Sequence, residues 1–304
     1  MHNLFKTRKS VKRLYHPLSN NPYSYRFFED FSRSFSFILG ENDRTKDFFA
    51  FEPKGCIAET LLYATAHNNL SYKLEQTISN TMHSLLSYGQ AYIYLQPQYI
   101  QQKSDENKNI PVKQIISALD IGEVKGVIKQ RIGNKYVFYT YGFNGNIIET
   151  ELMTDGLISL NIRELGYRKK HFLHLCKKIR KCDVTSAGLL TSENADGYDF
   201  NIHLKKKRLE FLKKTKSIGW SFGNDGLSDS YILYRKILQD KFRIKAIDFI
   251  MDKINEGLST CLHNESPGKL VAHIRNLNYD DIWEQYTNGK ITVTELTNLL
   301  YKNQ

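Results

Sequence analysis

The sequence predicts an α+β protein, and three observations carry that prediction. A helix-to-strand joint sits in HSLLSYGQAYIYLQPQ, residues 83–98. Short alternating strands run over residues 114–162, and helical spacing takes over from residue 167. With 304 residues, 41% hydrophobic and 25% charged, the chain has apolar material for one large domain or two ordinary ones. It does not have the composition of a disordered polypeptide.

Residues 1–16, MHNLFKTRKSVKRLYH, read as a basic arm without the apolar stretch of a secretory signal. Residues 17–55 mix Asn, Ser, Pro and Gly with aromatic segments such as YSYRFF and SFSFILG, which predicts short strands and loops. Helices are predicted at 56–67 and 70–88. In the second, Leu74, Ile78, Met82, Leu85 and Leu86 recur at three- and four-residue steps. Gly89 follows as a C-cap. QAYIYLQ then alternates Ala91, Ile93 and Leu95 against Tyr92 and Tyr94, a strand with one aromatic face.

The polar stretch QQKSDENKN reads as a surface loop. Beyond it, VKGVIKQRIG, KYVFYTYGF, NIIETELM and GLISLNI are the strands of a predicted β-meander, with GNK and NGN as hairpin links. Two basic amphipathic helices are predicted at 167–181 and 202–216, separated by a linker of about twenty residues rich in Ser, Asn and Gly. SIGWSFGNDGL, residues 217–227, is an irregular loop with three glycines, Trp220 and Phe222. A long helix is expected from a Ser228 cap to residue 258. Leu233, Ile237, Ile244, Ile247, Met251, Ile254 and Leu258 form its near-heptad seam. Two shorter helices, at 270–286 and 293–302, close the chain.

Charge is unevenly distributed. The net charge is +11, yet residues 1–13, 163–183 and 205–216 hold 20 of the 43 basic residues and only three acids. The remainder is mildly acidic. Basic blocks of this kind suit a polyanion such as nucleic acid, and the same pattern fits a solvated helix face. No apolar run approaches the ~18 residues of a membrane span. No membrane partner is therefore expected, and a cytosolic chain is the default.

Four scattered cysteines (Cys56, Cys176, Cys182 and Cys261) do not make a disulfide scaffold. His171, His174, Cys176 and Cys182 are metal-ligand types, but their spacing matches no zinc pattern and scatters them around a helix. There is no P-loop, no G-x-S-x-G and no H-E-x-x-H. Asp280 and Asp281 in NYDDIW read as acids at a helix start. The expectation is a protein with no enzyme activity, no cofactor and no metal.

The order of elements, with Tyr88, Gly89, Ala91, Tyr92 and Ile93 in a "yGxAyi" joint, resembles that of bacteriophage portal proteins. A segment of the type G-x-(I/L)-T-x-N-E-x-R is common near the portal C-terminus. Here NGKITVTELTNLL matches it at Gly289, Ile291, Thr292 and Glu295, with Thr294 and Thr297 at the usual Asn and Arg. The resemblance is to a shortened, portal-like chain. It implies a mixed α/β wing over residues 17–166 and a stem, clip and tunnel-loop region over 167–227. The long helix of 228–258 and a C-terminal helical region over 259–304 complete the mapping. The paired stem helices would be 167–181 and 202–216, the clip 183–200, and 217–227 the glycine/aromatic tunnel loop.

The function so implied is that of a homo-oligomeric ring subunit, about twelve copies to a ring, through which double-stranded DNA enters and leaves the capsid. Its partners would be the terminase large subunit, the major capsid or scaffold protein and a head–tail adaptor. Its place would be the capsid vertex of the virion, after assembly in the host cytoplasm. Lys205, Lys206, Lys207, Arg208, Lys213 and Lys214 would lie near DNA phosphates or contact terminase, and Trp220 and Phe222 would line the tunnel loop. The alternative is a basic nucleic-acid-binding protein such as a replication initiator. Against it, the two basic helices are too far apart in sequence for a compact helix-turn-helix.

Overall fold

A computed structural model describes residues 48–66, 69–101, 114–124, 128–132, 135–141, 147–153, 156–167, 229–263, 266–274 and 277–301. Within them the protein is a mixed helix-and-strand fold. Strand β1 (Phe49–Glu52) leads into helices α1 (Ile57–Tyr63) and α2 (Leu70–Tyr88), then β2 (Gln90–Gln101) and β3 (Gln114–Glu123). Strands β4 (Ile128–Ile132), β5 (Lys135–Tyr141), β6 (Ile147–Met153) and β7 (Leu157–Asn161) follow. Helix α3 (Asp229–Cys261), strand β8 (Lys269–Ala272) and helices α4 (Tyr279–Thr287) and α5 (Val293–Tyr301) complete the set.

Helix α2 forms where the apolar spacing predicts it. Its N-cap is Asn69, whose side chain accepts the Tyr72 amide at 2.9 Å. Leu74, Ile78, Met82 and Leu85 make one buried stripe. The helix ends because Gly89 turns left-handed, at φ 71°, and returns its N–H to the Leu85 carbonyl at 2.8 Å. Only glycine takes that conformation without a steric cost, so the next residue is free to start β2.

β2 is the central strand of a three-stranded antiparallel sheet ordered β3-β2-β7. Ala91 pairs with Leu160, Ile93 with Ile158 and Leu95 with Ile121, so the apolar residues of three strands share one face. That face packs on α2 and α3, and together they form the main core. Tyr92 and Tyr94 occupy the opposite face. Tyr92 meets the buried Phe138 edge-on, with ring centroids 5.1 Å apart. Phe138 belongs to a second sheet, ordered β4-β5-β6, so the aromatic face of β2 is where that sheet attaches.

The predicted meander is therefore divided between two sheets. β3 and β7, the outermost strands of the 114–161 region, leave their sequence neighbours to flank β2. The reason is burial: Leu119, Ile121, Ile158 and Leu160 extend the apolar face that α2 and α3 cover.

Helix α3 spans 33 residues, roughly 50 Å of rise, and runs three residues past the predicted end. Six of the seven predicted seam residues are buried, and the seventh, Ile244, packs against both the main core and a smaller C-terminal one. Its second half, from Phe242 to Leu258, enters the main core. Gly257 lets it approach the sheet, since a Cβ there would sit 2.5 Å from Ile158 Cδ1 and 3.0 Å from Leu95 Cδ1. Its first half, through Leu233 and Ile237, packs with Tyr279, Ile282, Leu296 and Leu300 of α4 and α5.

The helix predicted at 270–286 needs correction. Its first residues form β8, which pairs antiparallel with β1 from Phe49↔Ala272 to Glu52↔Lys269, and the helix proper starts at Tyr279. Tertiary contact overrides local pattern here. Leu270 is buried, and its N–H and C=O are both bound by the Asn255 amide of α3, at 2.8 and 3.1 Å. Asp280 and Asp281 lie in the first turn of α4, as expected, and Asp280 accepts from Lys241 at 2.6 and 2.8 Å.

Among the described residues, no helix is long and apolar enough to cross a membrane. The predicted basic arm, the two basic helices predicted over 167–181 and 202–216 apart from Tyr167, the clip predicted between them and the loop predicted at 217–227 lie outside the described residues.

Candidate functional site

Lys205, Lys206, Lys207, Arg208, Lys213, Lys214, Trp220 and Phe222 all fall outside the described residues, as do His171, His174, Cys176 and Cys182. Among the described residues no group of three His, Cys, Asp or Glu side chains is placed to hold a metal. What the described residues do assemble is a cleft at the β3 edge of the first sheet.

The cleft has a volume of about 780 Å³ and lies where the α1–α2 connection wraps past β3. Its polar floor comes from four elements. Thr65, just past α1, donates its hydroxyl to the Leu119 carbonyl at 2.7 Å and so covers the middle of the sheet edge. Lys73, one turn into α2, pairs with Asp120 of β3. Its remaining two protons go to Thr65, to the carbonyl at 3.2 Å and to Oγ1 at 3.1 Å. An ammonium has three donors, so Lys73 is fully satisfied.

Tyr94 completes the floor from β2. It stands directly opposite Gly122, and its ring lies across that residue, where any Cβ would meet the phenol at 2.5 Å. The missing side chain is what gives the ring its place. Burial, and then the charge and hydrogen bond of Asp120, hold the Tyr94 phenol above its ordinary value of 10.0. Asp120 thus accepts from both an ammonium and a phenol.

This arrangement is electrically closed. Lys73 and Asp120 neutralise each other, and among the described residues that line the cleft Lys73 is the one cation, with all three protons committed. What it offers is shape and neutral polarity: Tyr72 at the rim, 58% exposed, with Gln76 and Gln98 amides along the wall.

A second polar centre sits where the two halves of α3 meet. Asp240 is buried and accepts from Lys236 at 2.6 Å and from Arg243 at 3.4 Å, all on the same helix. Tyr301 of α5 lies over it, with the Lys236 ammonium 5.6 Å from its ring centroid. Burial, and then the negative charge of Asp240, raise the Tyr301 phenol, while Arg235 opposes the shift. These groups tie α5 to α3 and mark the boundary between the two cores.

The cleft escaped sequence reading because its members are remote. Lys73 and Asp120 are 47 positions apart, and neither residue breaks the pattern of its own element. The one local signal is Gly122 inside an otherwise apolar strand, a mark of close approach by another group. By contrast, Gly289, Ile291, Thr292 and Glu295 have a local role. Thr292 Oγ1 caps the Glu295 amide at 3.2 Å, and the Glu295 carboxylate accepts the Thr292 N–H at 2.7 Å. This is a capping box that starts α5. The backbone hydrogen bond to Thr292 lowers the Glu295 carboxyl from its ordinary 4.5.

No protein-family model matches the chain, and no curated protein matches it in sequence.

Proposed function

We propose that the chain is a portal-like ring subunit that builds the channel through which DNA enters and leaves a phage capsid, and that it docks terminase and head–tail connector proteins. The observation that carries this reading is the joint at Gly89. A capped helix feeds the central strand of a sheet, and one long helix later in the chain packs across that sheet. The reading assigns this α/β body to the wing, residues 167–227 to the stem, clip and tunnel loop, and α4 and α5 to the C-terminal body. Lys205, Lys206, Lys207, Arg208, Lys213 and Lys214 would then stand near DNA phosphates or terminase, with Trp220 and Phe222 in the tunnel loop. A ring repeats each basic patch once per subunit, which raises the local field without holding DNA by base contacts.

The test is the native mass of the purified chain by light scattering, with negative-stain imaging of any large species. A closed ring of about twelve subunits with a central hole is the expected result. A small species that binds DNA with sequence selectivity and strong salt dependence would replace this reading with an initiator-like one.

A further inference from the structure

β7 reaches only as far along β2 as Tyr94, so the sheet narrows to a two-stranded ribbon of Leu95–Gln101 and Gln114–Ile121. A β-bulge between Gln98 and Tyr99 inserts Ser117 as an extra residue. It brings Ile100 opposite Ile115, and both are exposed, at 59% and 43%, with Tyr99 beside them at 53%. Isolated two-stranded ribbons are marginal in water, and apolar side chains on them normally meet another surface.

Beyond Asp120 the ribbon also carries no charge. Gln90–Gln101 and Gln114–Leu119 contain no Lys, Arg, Asp or Glu, in a chain where 25% of residues are charged. Exposed sheet edges usually carry charge that discourages pairing, and this one does not. Its backbone is protected in another way. Leu119 points its carbonyl outward to Thr65, which makes Pro97↔Leu119 a non-hydrogen-bonded pair. The Pro97 nitrogen therefore faces out of the ribbon on the other side, where it has no proton to offer a further strand. With both edges blunted at mid-ribbon, the accessible feature is the side-chain face of Ile100, Ile115 and Gln98, which runs into the cleft.

We propose that this face is the surface by which the chain meets a second copy of itself. The proposal deepens the ring-subunit reading and rests on it for the choice of partner. Charge supports the same choice. Two chains of net charge +11 repel at long range, and contact through an uncharged apolar face adds nothing to that cost. A polyanion is the poorer fit, because Lys73, the cation of the adjoining cleft, has all its protons committed.

The experiment compares the full-length chain with an Ile100→Asp/Ile115→Asp double variant by sedimentation over a range of concentrations, with circular dichroism as the folding control. The expected result is assembly of the parent chain and, for each substitution, a rise of about thirtyfold in the concentration needed for assembly. A variant that still assembles like the parent overturns the proposal and leaves the ring reading standing. A parent that forms only a dimer, abolished in the variant, supports this surface and removes the ring. A parent that stays monomeric overturns the proposal. If the variant misfolds, hydrogen exchange on the parent chain decides. Slower exchange at residues 96–101 and 114–118 in the concentrated sample supports the proposal, and unchanged exchange overturns it.

Discussion

The two halves of β2 share a pattern but not an environment. From Gln90 to Leu95 the strand pairs with β7 as far as Tyr94 and with β3 from Ile93 onward, and it has helices on its apolar face and Phe138 against its aromatic face. From Gln96 to Gln101 it has β3 alone, and Tyr99 and Ile100 face solvent. Alternation of apolar and polar residues thus marks a strand without saying which half holds the fold together. The inner half lies in the core, and the outer half does not.

The largest effect should come from the inner half. Ile93→Ala removes a side chain with no solvent exposure and should cost about 2–5 kcal/mol, read as a lower midpoint in urea unfolding. A loss below about 1 kcal/mol would mean that the inner half is not the centre of the core. Gly257→Ala tests the helix that covers it. Alanine favours a helix by about 1 kcal/mol, yet its Cβ would press into Ile158 and Leu95. A net loss of about 1–3 kcal/mol is expected by the same assay, while a gain would show that α3 can back away from the sheet.

Tyr94→Phe acts at the boundary between the halves. Loss of the hydrogen bond to Asp120 should cost about 1 kcal/mol. It should also change the alkaline limb of stability. A phenol raised in the folded state contributes stability that is full below pH 10 and lost as pH rises through the folded value. Unfolding midpoints measured from pH 8 to 11 should therefore fall less steeply in the variant than in the parent. Equal slopes would mean that the folded chain does not hold this phenol above its ordinary value. The smallest effect belongs to the outer half. Ile115→Asp should change the stability of the isolated chain by less than about 1 kcal/mol, and a larger loss would make the ribbon part of the core.

Much of the fold was legible because the interactions that define it are short in sequence. The α2 stripe, the Gly89 cap and the alternation of β2 each follow from a few neighbouring residues. The α3 seam was legible for the same reason, but its division was not. Leu233 and Ile237 serve the C-terminal core and the residues from Phe242 onward the main one, although nothing in their spacing separates them. Residues 270–272 read as helix in the sequence, and only pairing with β1 makes them part of a strand. The cleft was invisible, since Lys73, Tyr94 and Asp120 acquire meaning only when three elements meet.

The sequence by itself determined the local pieces of this protein: where helices start and stop, which face of each is apolar, and where charge is absent. Those properties depend on dihedral preference and on hydrogen bonds within about four residues. Tertiary structure alone decided that β3 and β7 flank β2, that β1 pairs with β8, and that Lys73 closes on Asp120. An apolar residue carries no label for its partner, so burial of the shared face chooses among many compatible pairings, and only the folded chain makes that choice.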